Sequence, residues 1–189
     1  MRVIMLAPPG AGKGTQSELI AARYGVPHIA SGDIFREESA RQTELGERLR
    51  GYLESGDLVP DDLVLSLISD RVTAAAEQSG GYVLDGFPRN LAQAEAAAEI
   101  GRRTHTSAQA VVYLDAPRDV LIGRIIGRGE NRADDSERVA RHRLEVYTEQ
   151  TQPLVDYFTE RGIIIKVDAA APVETVSREI FQALDRIKG

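Results

Sequence analysis

The sequence predicts an α/β fold: a five-stranded parallel sheet flanked by helices. Three observations predict it. Short apolar runs alternate along the chain with amphipathic segments of helical period. Those runs are almost continuously apolar, as in strands buried on both faces. The first of them breaks into a glycine-rich loop that leads straight into a helical pattern.

Taken in order, the first strand is expected at 2–6 and further strands at 27–29, 81–84, 110–114 and 163–167. A helix follows the first loop from Ser17 onward. Two short helical patterns, 33–40 and 44–55, fill an insert over 31–59 between the second and third strands. The next helix starts at Asp61 or Asp62, after Pro60, with Leu63, Val64, Leu67, Ile68 and Val72 on one face. The longest helix is expected over about 136–158 and the last over about 173–187. A compact, highly charged loop at 127–135 joins two helices. No repeat or linker divides the chain, so residues 1–189 read as a single domain with two inserted movable pieces, 31–59 and 127–135.

At 189 residues the chain is long enough for one full core. Its 42% hydrophobic and 28% charged residues place it among soluble globular chains. There is no cysteine, which excludes disulfides and thiolate metal sites. No apolar run approaches the roughly 18 residues that span a membrane, and the segment before the first strand lacks the apolar stretch of a signal peptide. A cytoplasmic protein with no membrane partner is expected. The net charge of −6 argues against nonspecific nucleic-acid binding. Basic residues are nonetheless concentrated: Arg124, Arg128, Arg132, Arg138, Arg141 and Arg143 fall close together, with Arg138 and Arg141 expected on a solvated helix face.

Three constellations carry chemistry. In the first loop, Gly10, Gly12 and Gly14 remove side chains, so backbone N–H groups can converge on phosphate oxygens at a helix start. Lys13 can reach the terminal phosphates. The match to G-x-x-x-x-G-K-[ST] is imperfect: Ala7 stands at the first glycine, and Gly14 stands where the magnesium-binding hydroxyl belongs, with Thr15 one place later. The second constellation is an apolar strand ending in Asp85, then Gly86, Phe87, Pro88 and Arg89. An aspartate there can hold magnesium waters, and Arg89 is presented at the sheet edge where ligands of open α/β sheets bind. The third is Ser31, Gly32, Asp33, Ile34, Phe35 and Arg36. Alone, Ser31 reads as a helix N-cap and Arg36 as an exposed ion-pairing residue.

With Gly56, Asp57, Leu58, Val59, Pro60 and Asp61, then Gln93, and Arg132 leading to Arg143, these motifs at matching spacing resemble the adenylate kinases, members of the nucleoside monophosphate kinase family. The resemblance implies a P-loop kinase fold with a small helical AMP-binding insert at 31–59 and a short lid at 127–135. It implies reversible phosphoryl transfer from MgATP to AMP, giving two ADP, in adenine nucleotide homeostasis, by a monomer whose partners are ATP and AMP. In that reading Gly10, Ala11, Gly12, Gly14 and Thr15 cradle the donor phosphates and Lys13 follows the migrating charge. Arg124 and Arg128 bind on the donor side, and Ala171 lies at the ATP adenine. Asp85 holds Mg2+ through water; zinc is not expected. Arg132 and Arg143 clamp the transferring and acceptor phosphates, and Arg36 and Arg89 hold the phosphate of AMP. The AMP base is placed near Ser31, the backbone at Asp57, Leu58 and Val59, the turn Gly86, Phe87 and Pro88, and Gln93, whose amide donates and accepts at once.

The family usually has threonine at Ser31, and its short lids usually have glycine at Asn131, a residue type that tolerates positive φ. Three other readings stay open. A UMP or CMP kinase of the same family typically carries asparagine at the place of Gln93. A regulatory P-loop module would need an effector surface or a guanine-reading Asn-Lys-x-Asp, and the latter is absent. A kinase of a nonnucleotide acceptor is the third.

Overall fold

The computed structural model describes residues 1–127 and 137–188. The elements run β1 (Arg2–Leu6), α1 (Lys13–Tyr24), β2 (His28–Ala30), α2 (Ser31–Ser39), α3 (Glu44–Ser55), α4 (Asp61–Ser79), β3 (Tyr82–Asp85), α5 (Leu91–Thr104), β4 (Ala110–Asp115), α6 (Arg118–Gly127), α7 (Glu137–Val146), a π turn (Tyr147–Thr151), α8 (Leu154–Glu160), β5 (Ile164–Asp168) and α9 (Val173–Lys188). Every strand pair is parallel, in the order β2-β3-β1-β4-β5. The expected five-stranded parallel sheet with flanking helices is therefore present.

Alternate side chains of each strand enter different cores, as the two-residue period of a strand requires. Ile4, Leu6, Leu84, Val111 and Tyr113 join one apolar cluster with residues of α2, α3, α4, α5 and α8. Val3, Met5, Val83, Val112 and Leu114 join the other with residues of α1, α6, α7 and α9. Both faces of the sheet are covered, which explains the nearly unbroken apolar runs. Because β1 is flanked by β3 on one side and β4 on the other, the chain reverses its winding there. The crevice beyond the C-terminal ends of β1 and β3 is thus the natural place for a ligand.

The structure differs from the sequence expectation at several boundaries. The second strand is His28–Ala30 rather than 27–29. Pro27 has no N–H for the ladder and contributes only its carbonyl, which accepts from Val83 N at 2.9 Å. The first helix of the insert begins at Ser31 rather than Asp33, so Ser31 is not its cap; Ala30 holds that place without any side-chain bond. The long helix expected over 136–158 is not continuous. α7 ends at Val146, and Gln152 N then donates to Tyr147 O at 2.8 Å, the wider bond of a π turn. Pro153, lacking an amide hydrogen, cannot sustain the ladder, and α8 starts afresh at Leu154.

Among the described residues, no helix is long and apolar enough to cross a membrane.

Candidate active site

The glycine loop follows directly from β1. Gly10 has φ +87°, and a Cβ there would lie 2.6 Å from the carbonyl oxygen of Leu121 in α6, so both conformation and space demand glycine. Ala7 needs no such freedom: among the described residues, His105 alone combines a side chain with positive φ. Gly12 caps α1 without a side-chain bond, and the first turn of α1 carries no acidic residue. No side chain caps that helix end, which suits it to receive an anion.

Lys13, in that first turn, donates to Asp85 Oδ1 and forms an ion pair with it. Asp85 ends β3 in register with Met5 of β1 and Ala30 of β2, which carries its carboxylate to the head of the sheet. Ser17 Oγ lies 3.4 Å from Asp85 Oδ2, and His28 Nε2 lies 3.6 Å from the same oxygen. Burial pushes the Asp85 carboxyl up, but the Lys13 ammonium and the His28 ring outweigh it and hold the group well below the usual carboxylate range. Lys13 is drawn below the ordinary lysine value, first by burial and then by Arg89 and Arg143, with Asp85 opposing.

Three arginines from different elements meet this pair. Arg89, in the turn after β3, is anchored along its whole length. Its Nε donates to Gly86 O at 2.8 Å, its backbone N–H to Gln93 Oε1 at 2.8 Å, and its carbonyl accepts from Thr151 Oγ1 at 2.7 Å. The guanidinium is pulled below the usual arginine value first by burial, then by the positive charge of Arg143, and further by Arg36; Asp85 opposes them. Arg36 comes from α2, where Asp33 pairs with it, and Arg143 comes from α7. A cleft of about 270 Å³ is lined by Gly10, Ala11, Gly12, Lys13, Gly14, Arg36, Leu58, Asp85, Gly86, Pro88, Arg89 and Arg143. Like charges crowded on one wall of a cleft are unfavourable until an anion enters between them.

The floor beside Arg89 is equally specific. Gly86 has φ +80°, and a Cβ there would meet Ser31 Oγ at 2.3 Å. Ser31 is completely buried, and its Oγ makes no hydrogen bond among the described residues. A second cavity of about 420 Å³ opens on the other side of the glycine loop, lined by Gly10, Gly12, Thr15, Arg124, Gly127, Ala169 and Ala171 among others. Arg124 is fixed there by donating to Ala169 O at 2.7 Å.

The sequence-predicted residues are thus brought together in two compartments sharing the glycine loop, with some set apart. Asp57 is exposed and its Oδ1 lies 2.7 Å from His142 Nε2. The side chains of Val59 and Phe87 enter the apolar core. Gln93 is 2% exposed and is not part of the cleft wall; its amide bonds Arg89 N–H and Asp61. Arg128, Arg132 and all but the first residue of 127–135 lie outside the described residues. Sequence reasoning missed Ser17, His28, Thr151 and Asn90, and it named Asp61 only as a motif member and helix start, without a place at the site. His28 could have been found by carrying the second strand to Ala30, since pairing with β3 then sets it near Asp85.

Asp85 is a single carboxylate, and among the described residues no group of three His, Cys, Asp or Glu gathers to make a metal cage. That fits Mg2+, which keeps most of its waters and is usually held by one or two carboxylates together with substrate phosphates.

Backbone amides at a helix start, one lysine and a wall of arginines suit phosphoryl groups that are positioned and neutralised, which is how P-loop phosphotransferases work; this chain is one of them. The family model described as Adenylate kinase matches residues 5–163. An adenylate kinase of Thermobifida fusca is 42% identical over 186 residues, covering 97% of this chain and 98% of the relative. One of Kocuria rhizophila is 43% identical over 187 residues, covering 98% and 99%. Adenylate kinase 1 of a Nostoc species is 43% identical over 183 residues, covering 97% and 98%. The chain belongs to the adenylate kinase family and is an ATP-binding transferase.

Proposed function

We propose that this enzyme moves the terminal phosphoryl group of MgATP reversibly to AMP, giving two ADP. The observation that carries the reading is the convergence of Arg36, Arg89 and Arg143 on the cleft wall facing Lys13 and the glycine loop. One anion held at the loop and a second held by the arginines would approach each other in line.

The larger cavity beside Arg124 and Ala171 would take the nucleoside of ATP, with its phosphates on the amides of the glycine loop. Lys13 would exchange Asp85 for phosphate oxygens, and the carboxylate would turn to the waters of Mg2+. When bound, that ion neutralises charge developing between the donor phosphates. Arg36 and Arg89 would hold the phosphate of AMP, whose oxygen forms the new P–O bond as the bond to the leaving ADP breaks. Arg143, with Arg128 and Arg132, would follow the charge of the transferring group. Ser31 Oγ, buried and unpartnered, offers itself to the base. We further propose that 31–59 closes on AMP and 127–135 on ATP, since a phosphoryl donor open to water would be hydrolysed; adenylate kinase lids are a standard instance of such gating.

The test is ADP formation from MgATP with AMP, UMP, CMP and GMP offered separately, beside Lys13→Ala. Rapid turnover with AMP alone is expected. Turnover with a pyrimidine nucleotide in its place would keep the phosphate chemistry and overturn the base assignment. Silence with all four, from folded protein that still binds ATP, would overturn phosphoryl transfer to a nucleotide.

A further inference from the structure

We infer that Asp61 decides which purines the acceptor pocket takes, by fixing the direction in which the Gln93 amide faces. The inference rests on the proposed function, with AMP as acceptor, and on Gln93 meeting its base as the sequence resemblance implies. A glutamine amide is nearly symmetric in shape but not in chemistry, since one end donates and the other accepts, and a half-turn exchanges them. Here its partners allow one direction only. Gln93 Nε2 donates to Asp61 Oδ1 at 2.7 Å, and Gln93 Oε1 accepts from Arg89 N–H at 2.8 Å. A carboxylate cannot donate and a backbone N–H cannot accept, so the turned amide would face a like partner at each end. Asn90 reinforces the choice: its Nδ2 donates to the same Asp61 oxygen at 2.9 Å, while its Oδ1 accepts from Gln93 N at 2.8 Å and caps α5. At 2% exposure, Gln93 has no bulk water to compensate a mismatch.

Each end of the amide keeps one further hydrogen-bonding position. A 6-aminopurine presents a donor beside an accepting ring nitrogen, and a 6-oxopurine presents an acceptor beside a donating one. The two edges are opposites. For a base in a given pose, an amide of fixed direction satisfies both positions of one class and opposes both positions of the other. AMP requires Oε1 at its amino group and Nε2 at its ring nitrogen. Asp61 therefore acts as a positioning residue for specificity, through Gln93 and without touching the nucleotide.

The experiment compares AMP with IMP, whose base differs at this edge alone, as acceptors for the parent enzyme, Asp61→Asn, Asp61→Ala, Asp62→Asn and Gln93→Leu. Asparagine is nearly isosteric and can donate or accept, so it keeps the helix start while removing the stronger, charged constraint on the direction of the amide and leaving only Arg89 N–H to oppose its turning. The expected result is a tenfold or greater fall in the AMP-to-IMP ratio of kcat/KM in both Asp61 variants, with a lower KM for IMP. Asp62→Asn removes the same charge from the same turn, outside the network, and leaves the ratio unchanged. A purely structural role for Asp61 would depress both acceptors in parallel and leave the ratio intact, which overturns the inference. If Gln93→Leu lowers the ratio while the Asp61 variants keep it, only the role of Asp61 fails. If Gln93→Leu retains parental kcat/KM for AMP, the reading of Gln93 as a base contact fails, and the inference with it.

Discussion

Lys13 and Asp85 are bonded to each other across the head of the sheet, joining the start of α1 to the end of β3. Under the proposed function each is the other's substitute for a ligand: the ammonium would stand in for a metal's water, and the carboxylate for a phosphate. In the proposed mechanism this bond is exchanged for phosphate and Mg2+ waters when nucleotide enters. Two buried charges of opposite sign are tolerable together and costly apart.

That dependence has a pH signature. The folded pKa of Asp85 lies below its ordinary value, so the unfolded chain takes up this proton first as pH falls. The stabilisation is complete above the ordinary carboxylate range and is lost as pH falls through the folded value. Its slope is at most about 1.4 kcal/mol per pH unit. Lys13→Ala withdraws the strongest influence holding the carboxyl down and leaves burial to raise it. Urea titrations from neutral to acid pH should show a lower midpoint for Lys13→Ala at neutrality and a flattened acid slope. Lys13→Ala with Asp85→Asn should recover part of the neutral-pH loss. ADP formation should fall by about 10³ or more in the single variant. A parental acid slope in Lys13→Ala would refute the coupling.

The arginine wall sets stability against activity. Arg36 and Arg143 both oppose the charge of Arg89, so removing Arg89 relieves repulsion while deleting the proposed grip on the acceptor phosphate. Arg89→Met is expected to hold the parental unfolding free energy within about 1 kcal/mol. Its kcat/KM for AMP should fall by about 10³. The rise in melting temperature that AMP gives the parent should disappear, while that given by ATP persists. Equal loss of both rises would mean that the arginine supports the fold as a whole.

Ser31 and Gly86 make a matched pair. A buried hydroxyl without a partner costs about 1–3 kcal/mol, so Ser31→Ala should leave stability unchanged or raise it. If the hydroxyl meets the acceptor base, KM for AMP should rise about tenfold. Gly86→Ala forces a side chain into φ +80° and a Cβ to 2.3 Å from Ser31 Oγ. It should destabilise by about 1–3 kcal/mol. Adding Ser31→Gly to it removes the contact but not the backbone strain, so only part of the loss should return. Thermal melts and AMP titrations of the three variants separate these contributions.

How far the sequence could be read depended on how local each cause was. The glycine loop was legible because its residues act through their own backbone within a few positions of one another. Arg36 and Arg89 were legible as motif members, but their meeting with Arg143 depends on how α2, the turn after β3 and α7 pack at one sheet edge. Gln93 was legible as a motif member, but the internal partner at each end of its amide was not. One partner, Asp61, lies 32 positions away at the start of another helix. The single long helix over 136–158 was an error of period: the apolar pattern continues through the π turn, so Tyr147, Leu154, Val155 and Phe158 all reach the core although Pro153 breaks the ladder.

The proposed closure of 31–59 meets a constraint in the return loop after α3. Gly56, at φ +82°, packs so closely on α7 that a Cβ there would lie 3.0 Å from Arg143 Cγ and 3.1 Å from Val139 Cγ1. Beside it, Asp57 Oδ1 sits 2.7 Å from His142 Nε2. The carboxyl of Asp57 is held below its usual range, first of all by that histidine. The insert is therefore tied at its exit to the helix that carries Arg143, so closing must come from α2 and α3 turning about 56–59. AMP alone should then slow hydrogen exchange across 31–55 and change 56–59 less, because that loop is already anchored. His142→Ala removes an exposed pair worth only about 0–1 kcal/mol. Global melting should stay at the parental value while exchange at 56–59 rises by up to about fivefold without nucleotide. Unchanged exchange across 31–55 in saturating AMP would rule out the closing motion, whatever His142→Ala does to the loop.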